Sequence, residues 1–215
     1  RRLSGGGAAG VRVEGYAPQK LALWVRLTGG APSLSGRDPL AHILWLRETH
    51  PRIYDEAAAL LEPVDWLNLR LTGLACASAD TITLHWVTDT RDAGRIRYDD
   101  RLIRLSTLDR AKLPELRPSA SVVGPVTREA ADALGITTAA QVVTATPDTM
   151  SAAVGSGAVD DHAAHLYVGT SSWLSCHVPY KKTDPFHTIA SLPSALPGRY
   201  VVSCEQQTAG ASLAM

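Results

Sequence analysis

Beyond Pro118 the sequence falls into short apolar runs separated by helix-sized or glycine-punctuated stretches, and this alternation restricts the fold more than any other feature. Strands are predicted over Ser121–Pro125, 141–146, 164–169, 172–178 and 199–204. Between the first two, Thr127 can cap a helix over Arg128–Leu134 that Gly135 closes. A second helix is predicted over 149–158, and another begins near Thr208. Strands interleaved with helices point to an α/β architecture. The Pro- and Ser-containing stretch Pro118–Ser121 interrupts the pattern before it. A domain boundary is therefore expected there, with residues 1–120 in one unit and 121–215 in the other.

The first unit reads as mostly helical. Asp38 can cap a helix whose first position is Pro39, with Leu40, Ile43, Leu44 and Leu46 on one stripe. His50-Pro51 interrupts it, because a residue before proline avoids the helical well. A further helix takes Ile53, Tyr54, Ala57, Ala58, Leu60 and Leu61 and stops at Glu62-Pro63. Val64–Thr72 is a short helix with Val64, Leu67 and Leu71 on one side, closed by Gly73. Ala79–Val87 is rich in Thr and Ile and reads as a strand, although its start also suits a helix. Tyr98–Leu105 and Asp109–Leu113 read as short helices, and Leu21–Leu27 suits a strand or a helical turn equally.

Composition weighs against several function classes. The 21 basic and 21 acidic residues cancel and form no basic stripe, so nucleic acid is not expected as a partner. The chain has no basic amphipathic segment and no run of about 18 apolar residues, so no membrane is expected either. Three widely spaced cysteines, Cys76, Cys176 and Cys204, read as reduced, buried thiols of a cytoplasmic protein rather than as a disulfide or a metal site. The opening RRLSGGGAAG lacks the apolar run of a signal peptide. A start at Arg and a helix-like close, QQTAGASLAM, lead us to expect a piece of a longer protein.

The chemistry concentrates in two stretches. In the first, QVVTATPDTMSAAVGSGAV, Asp148 follows Thr146-Pro147 where an apolar strand gives way to a helix. A carboxylate there meets the helix dipole and free backbone N–H groups, which favour its ionised form. It can orient and deprotonate a hydroxyl, and it can equally serve as a helix-stabilising first-turn acid. In the second, HLYVGTSSWLSC, Gly169, Thr170 and Ser171 lie between strand-like runs. Glycine lets a backbone approach a phosphate and neighbouring N–H and O–H groups can donate to it, but an ordinary hairpin turn favours the same residues. Gly155-Ser156-Gly157 follows a helix-like run rather than a strand, so it is not a dinucleotide fingerprint. His162 and His165 lack a third metal ligand, and Lys181-Lys182 is expected in a solvated loop. The five tryptophans are expected mainly as core or interface anchors.

Several stretches resemble the FGGY carbohydrate kinases, xylulose kinases in particular. HILWLRETHPRIYDEAAALLEPVDWLNLRLTG matches their Trp-containing helix, P-x-I-Y step and P-x-D-[WY]-L-x-x-R-L-T-G segment in order. KLPELRPSASVVGPVTREAADALGI resembles their linker into the second domain. VVTATPDTMSAAVGSGAV resembles the GGGDN-A-A-A-x-G-x-G start of that domain, HLYVGTSSW their Y-x-S-x-G-T-S phosphate motif, and VVSCEQQTAGASL the strand and helix that follow. The resemblance runs from about Leu40 to the end. It implies a ribonuclease-H-like, actin-like ATPase fold, here incomplete and made of parts of two domains. The first of these would be the end of the sugar-binding domain and the second the start of the nucleotide-binding domain.

By the same resemblance the parent reaction transfers the γ-phosphoryl group of ATP, with Mg, to a hydroxyl of a ketopentose such as xylulose. Asp148 then matches the catalytic base and, with Thr149, a substrate contact; Gly169, Thr170 and Ser171 match residues around the nucleotide phosphates. The implied partner is a small sugar, and a homodimer is compatible with the pattern. The 215 residues alone are expected to be inactive, because the family's first phosphate loop would lie upstream and its adenosine loop downstream. Two departures stand out. Thr144-Ala145-Thr146-Pro147 replaces the family's glycine run, adding Cβ atoms and removing one N–H donor, and Thr149 replaces the usual Asn. These keep a second reading open, a non-catalytic sugar- or nucleotide-binding regulator on the same fold.

Overall fold

A computed structural model of the chain describes residues 16–184, 189–206 and 209–213; the start RRLSGGGAAG lies outside them. Four helices open the described part: α1 Pro18–Thr28, α2 Pro39–Thr49, α3 Pro51–Glu56 and α4 Pro63–Thr72. Each begins with proline, whose fixed φ suits a first helical turn and whose missing N–H would have no partner there. Gly29 (φ 85°) and Gly73 (φ 76°) end α1 and α4 in the left-handed region. The Leu21–Leu27 stretch is thus helical, and it buries Trp24, Leu27 and Thr28. Among the described residues no helix is long and apolar enough to cross a membrane.

Three expectations for this region change. Asp38 makes no side-chain cap; its Oδ2 accepts from the Trp86 indole N–H at 2.9 Å instead. The helix after Pro51 stops at Glu56 rather than Leu61, where Lys112 Nζ donates to the Asp55 and Ala57 carbonyls at 3.0 and 2.8 Å. Most consequential, α4 turns Asp65 and Asn68 inward, while Leu67 is 53% exposed.

After β1 Cys76–Ser78 the chain forms a 3₁₀ helix, Thr81–His85, where a strand was expected. The Ser78 and Thr81 hydroxyls bond to each other's backbone, and Thr83 Oγ1 donates to the Ala79 carbonyl at 2.9 Å. Such local side-chain bonds compete with a β-ladder and favour a tight turn. The strand that forms, β2 Thr88–Asp89, lies just past the expected one and pairs antiparallel with β3 Arg97–Tyr98. Helix α5, Asp100–Ser106, is capped by Asp99, and β4 Glu115–Arg117 runs parallel to β1.

In the second half β5 Val122–Pro125 pairs antiparallel with β6 Gln141–Val143, and between them α6 Arg128–Leu134 starts at the Thr127 cap and ends at Gly135. Helix α7 covers Asp148–Gly155. A four-stranded antiparallel sheet follows in the order β7 Ala164–Val168, β8 Ser172–Val178, β10 Tyr200–Gln206, β9 Ala190–Pro193. Strand β9, which the sequence pattern does not mark, ends on Pro193 and pairs with β10 on one side only. Helix α8 is described over Gly210–Leu213, whereas Thr208 lies outside the described residues.

The main core joins Trp24, Leu27, Leu40, Leu44, Val87 and Leu102 from α1, α2, α5 and the chain around β2. A smaller one gathers Cys76, Val123, Val126, Ala131 and Val142. All three cysteines are free; Cys76 is buried as expected, but Cys204 is exposed.

Candidate active site

Pro147 sets the entry of α7, and Asp148 occupies its first turn with an exposed carboxylate. Asp148 Oδ1 accepts from the Thr149 backbone N–H at 2.7 Å. Both residues line a cleft of about 750 Å³. Glu62, Asp80 and Thr81, from the start of α4 and the 3₁₀ turn, and Trp173, Leu192 and Val201 of the sheet also line it.

The Gly169–Ser171 turn joins β7 to β8. Its backbone is held tightly: Gly169 N–H donates to the Ser171 carbonyl at 2.8 Å, while the carbonyls of Gly169 and Thr170 accept from Gly210 and Ala209 at 2.8 and 2.9 Å. A Cβ at Gly210 would sit 2.4 Å from the Gly169 oxygen, so only glycine permits this approach. Tyr167 and Trp173 stack beside the turn, centroids 4.0 Å apart and nearly parallel at 11°. Asp148 and Thr149 therefore share the cleft, whereas the three turn residues do not line it; Trp173, two residues beyond Ser171, does.

Around two of these lining residues, Glu62 and Asp80, lies a group of acids that periodicity did not single out. Asp65 is 1% exposed and neither carboxylate oxygen has a partner. Burial pushes its pKa up to about 7, helped by the charges of Glu62 and Asp80. Asp80 is 2% exposed; its Oδ1 accepts from Ser119 Oγ at 2.6 Å and its Oδ2 has no partner. His85 Nε2 meets Glu62 Oε1 at 2.7 Å. The one sequence signal was polar residues at i and i+3, Asp65 and Asn68, on a helix otherwise rich in Leu and Trp.

Lys181 departs from the expected solvated loop. Its Nζ donates to the Thr28 and Thr90 carbonyls at 2.7 and 3.1 Å, and burial lowers its pKa to about 8. It ties the β8–β9 connection to the end of α1. His162 and His165 meet Tyr180 Oη and Ser156 Oγ at 3.3 and 3.0 Å. Among the described residues no three His, Cys, Asp or Glu side chains converge as a metal cage would require.

Comparison with known proteins places these features in context. Residues 30–155, more than half of the chain, match the profile of the FGGY family of carbohydrate kinases, N-terminal domain. A xylulose kinase of Escherichia coli (strain K12) is 30% identical over 159 residues, which is 74% of this chain and 32% of that protein. One from Lactococcus lactis subsp. lactis (strain IL1403) is 28% identical over 144 residues, 65% of this chain and 27% of its own. The match thus spans less than a third of the length of these curated relatives. The crystal structure of xylulose kinase from Rhodospirillum rubrum superposes with a TM-score of 0.80 at 20% identity, covering 90% of this chain and 38% of that one. The chain shares with it a mixed helix-and-sheet, actin-like ATPase fold.

Proposed function

Because the chain belongs to the FGGY family of carbohydrate kinases, we propose that it contributes the base-bearing wall of the cleft of an ATP-dependent sugar kinase acting on a ketopentose such as xylulose. One observation carries this reading: an exposed carboxylate, Asp148, stands at the mouth of a helix in a cleft of about 750 Å³. That volume suits a pentose and a phosphoryl group. Asp148 orients a sugar hydroxyl and takes its proton as the oxygen bonds to phosphorus. ATP supplies the γ-phosphoryl group, and the electron pair of the broken bridging P–O bond leaves with ADP. Transfer of this kind is loose, so the base needs position more than strength. Thr149 offers a hydroxyl beside it.

The Gly169–Ser171 turn is assigned to the nucleotide phosphates. Its Gly169 N–H is already given to the Ser171 carbonyl, so the Thr170 and Ser171 hydroxyls are the side-chain donors assigned to those oxygens. Mg²⁺ in such sites is held largely by phosphate oxygens and water, with one or two carboxylates. The described residues offer no cage of their own for it, and no step is routed through it.

An ADP-release screen over ketopentoses, glycerol and aldonates, run on the longest natural form of the protein, tests this reading. A ketopentose should stimulate ADP release, and Asp148→Ala should lower turnover about 10²- to 10⁴-fold. ATP binding without any sugar-stimulated release would overturn it in favour of a binding regulator, which the Thr144–Pro147 departure keeps open.

A further inference from the structure

The stretch that delivers Asp148 to the cleft is not held as a strand would be. β6 pairs with β5 alone, and that ladder ends at Val143, five residues before the carboxylate. Beyond it the chain is pinned one residue at a time, each time from a different part of the molecule. Asn68 on α4, 6% exposed, donates from Nδ2 to the Val143 carbonyl at 3.2 Å. Thr144 exchanges bonds with the linker: its N–H reaches the Ser121 carbonyl at 2.8 Å and its hydroxyl the Pro118 carbonyl at 3.3 Å. Ser78, at the end of β1 and fully buried, lies with Oγ 3.0 Å from the Ala145 carbonyl.

Ser78 Oγ has two acceptors within reach of its one proton, the Ala145 carbonyl at 3.0 Å and the Thr81 hydroxyl oxygen at 3.1 Å. A hydroxyl has a single hydrogen, and the Ala145 carbonyl can only accept. The lone pairs of Ser78 Oγ accept from Thr81 N–H at 3.3 Å. Thr81 in turn gives its own hydroxyl proton to the Ser78 carbonyl at 3.2 Å and accepts from Ser78 N–H at 3.0 Å. The pair is therefore locked before it touches the Asp148 stretch. Where a run of glycines would leave such a stretch pliable, this chain has Thr144-Ala145-Thr146-Pro147 and side-chain pins.

We infer that Ser78 and Asn68 are positioning residues, which hold Val143–Ala145 and through it set where the Asp148 carboxylate meets the substrate hydroxyl. The inference rests on the reading of Asp148 as the base. Neither residue touches substrate; each acts on turnover through the backbone ahead of Asp148. A displacement of about 1 Å at a reacting group costs about 10²-fold in rate, so losing one pin is felt in kcat.

The test is steady-state sugar-dependent ADP release by the longest natural form of the protein. Ser78→Ala should lower kcat about 10- to 100-fold with KM for ATP and for sugar little changed, and Ser78→Thr, which keeps the hydroxyl, should restore most of it. Asn68→Ala gives the same kcat-only loss from another element, and it carries the test if Ser78→Ala does not fold. Turnover within threefold of wild type in both alanine variants, while Asp148→Ala is inactive, would overturn the positioning role and leave the base intact. A rise in both KM values with kcat unchanged would overturn it too, as general loosening. If Asp148→Ala itself turns over normally, the base reading falls and takes the positioning role with it.

Discussion

The core under α1, α2 and α5 and the wall between α4 and the cleft obey opposite rules. In the core, the Thr88 hydroxyl apart, buried polar groups are answered: Trp24 Nε1 donates to the Trp86 carbonyl at 3.1 Å, Trp86 Nε1 to Asp38, Thr28 Oγ1 to the Trp24 carbonyl at 2.9 Å, and Tyr16 Oη to the Pro32 carbonyl. In the wall, both oxygens of Asp65, one of Asp80 and Nδ1 of His85 are buried without a partner. A buried group of that kind costs free energy that a satisfied or apolar one does not. The molecule thus gains its stability in one place and gives some up where the cleft is built, which is where proteins tend to tolerate such departures.

The contrast can be broken most forcefully from the core side. Trp24 is fully buried, and Trp24→Ala should cost about 3–5 kcal/mol in urea unfolding, since it removes a large side chain and opens a cavity. A loss under about 1 kcal/mol would mean that this core is not where the stability lies.

Asp65→Asn probes the wall. The unfolded carboxyl ionises near 3.8 and the folded one only near 7. The folded state therefore holds the extra proton between those values, and stability falls as pH rises through that window. Removing the titration should leave the variant roughly 2–4 kcal/mol more stable than wild type at pH 8, with little difference at pH 4. Urea midpoints measured across that range check both ends. A pH-independent difference would show that the wall carries no such cost.

The smallest effect belongs to the second, lesser core. Thr127 caps α6 through its hydroxyl, which accepts from the Ala130 N–H at 3.3 Å. Thr127→Ala should lower stability by about 1 kcal/mol with no pH dependence, which sharpens the difference from Asp65.

Where local chemistry suffices, the fold was legible. Thr127 and Gly135 bracket α6, proline opens α2 and His50-Pro51 breaks the chain after it, and Pro147-Asp148 marks the start of α7. Each rests on a few adjacent residues, so no distant part of the chain was needed. The four-stranded sheet was legible in three of its strands, because their apolar runs are long enough to stand out.

The rest depended on what each residue meets across the fold. The spacing of Leu67 and Leu71 argued for an apolar inner face on α4; Leu71 does pack against the smaller core, but Leu67 faces out and Asp65 and Asn68 are buried, Asn68 donating to the Val143 carbonyl. Thr81–His85 gave up its strand propensity to bonds with Ser78 and Ala79. Lys181 left the solvent for carbonyls more than 90 residues away in sequence. The amino-acid order alone carried several helix starts and stops, the family resemblance and Asp148 as a candidate, since all of these are written in neighbouring residues. Which polar groups are buried, and what holds the chain ahead of Asp148, was decided by contacts between distant segments, for which a linear pattern holds no signal.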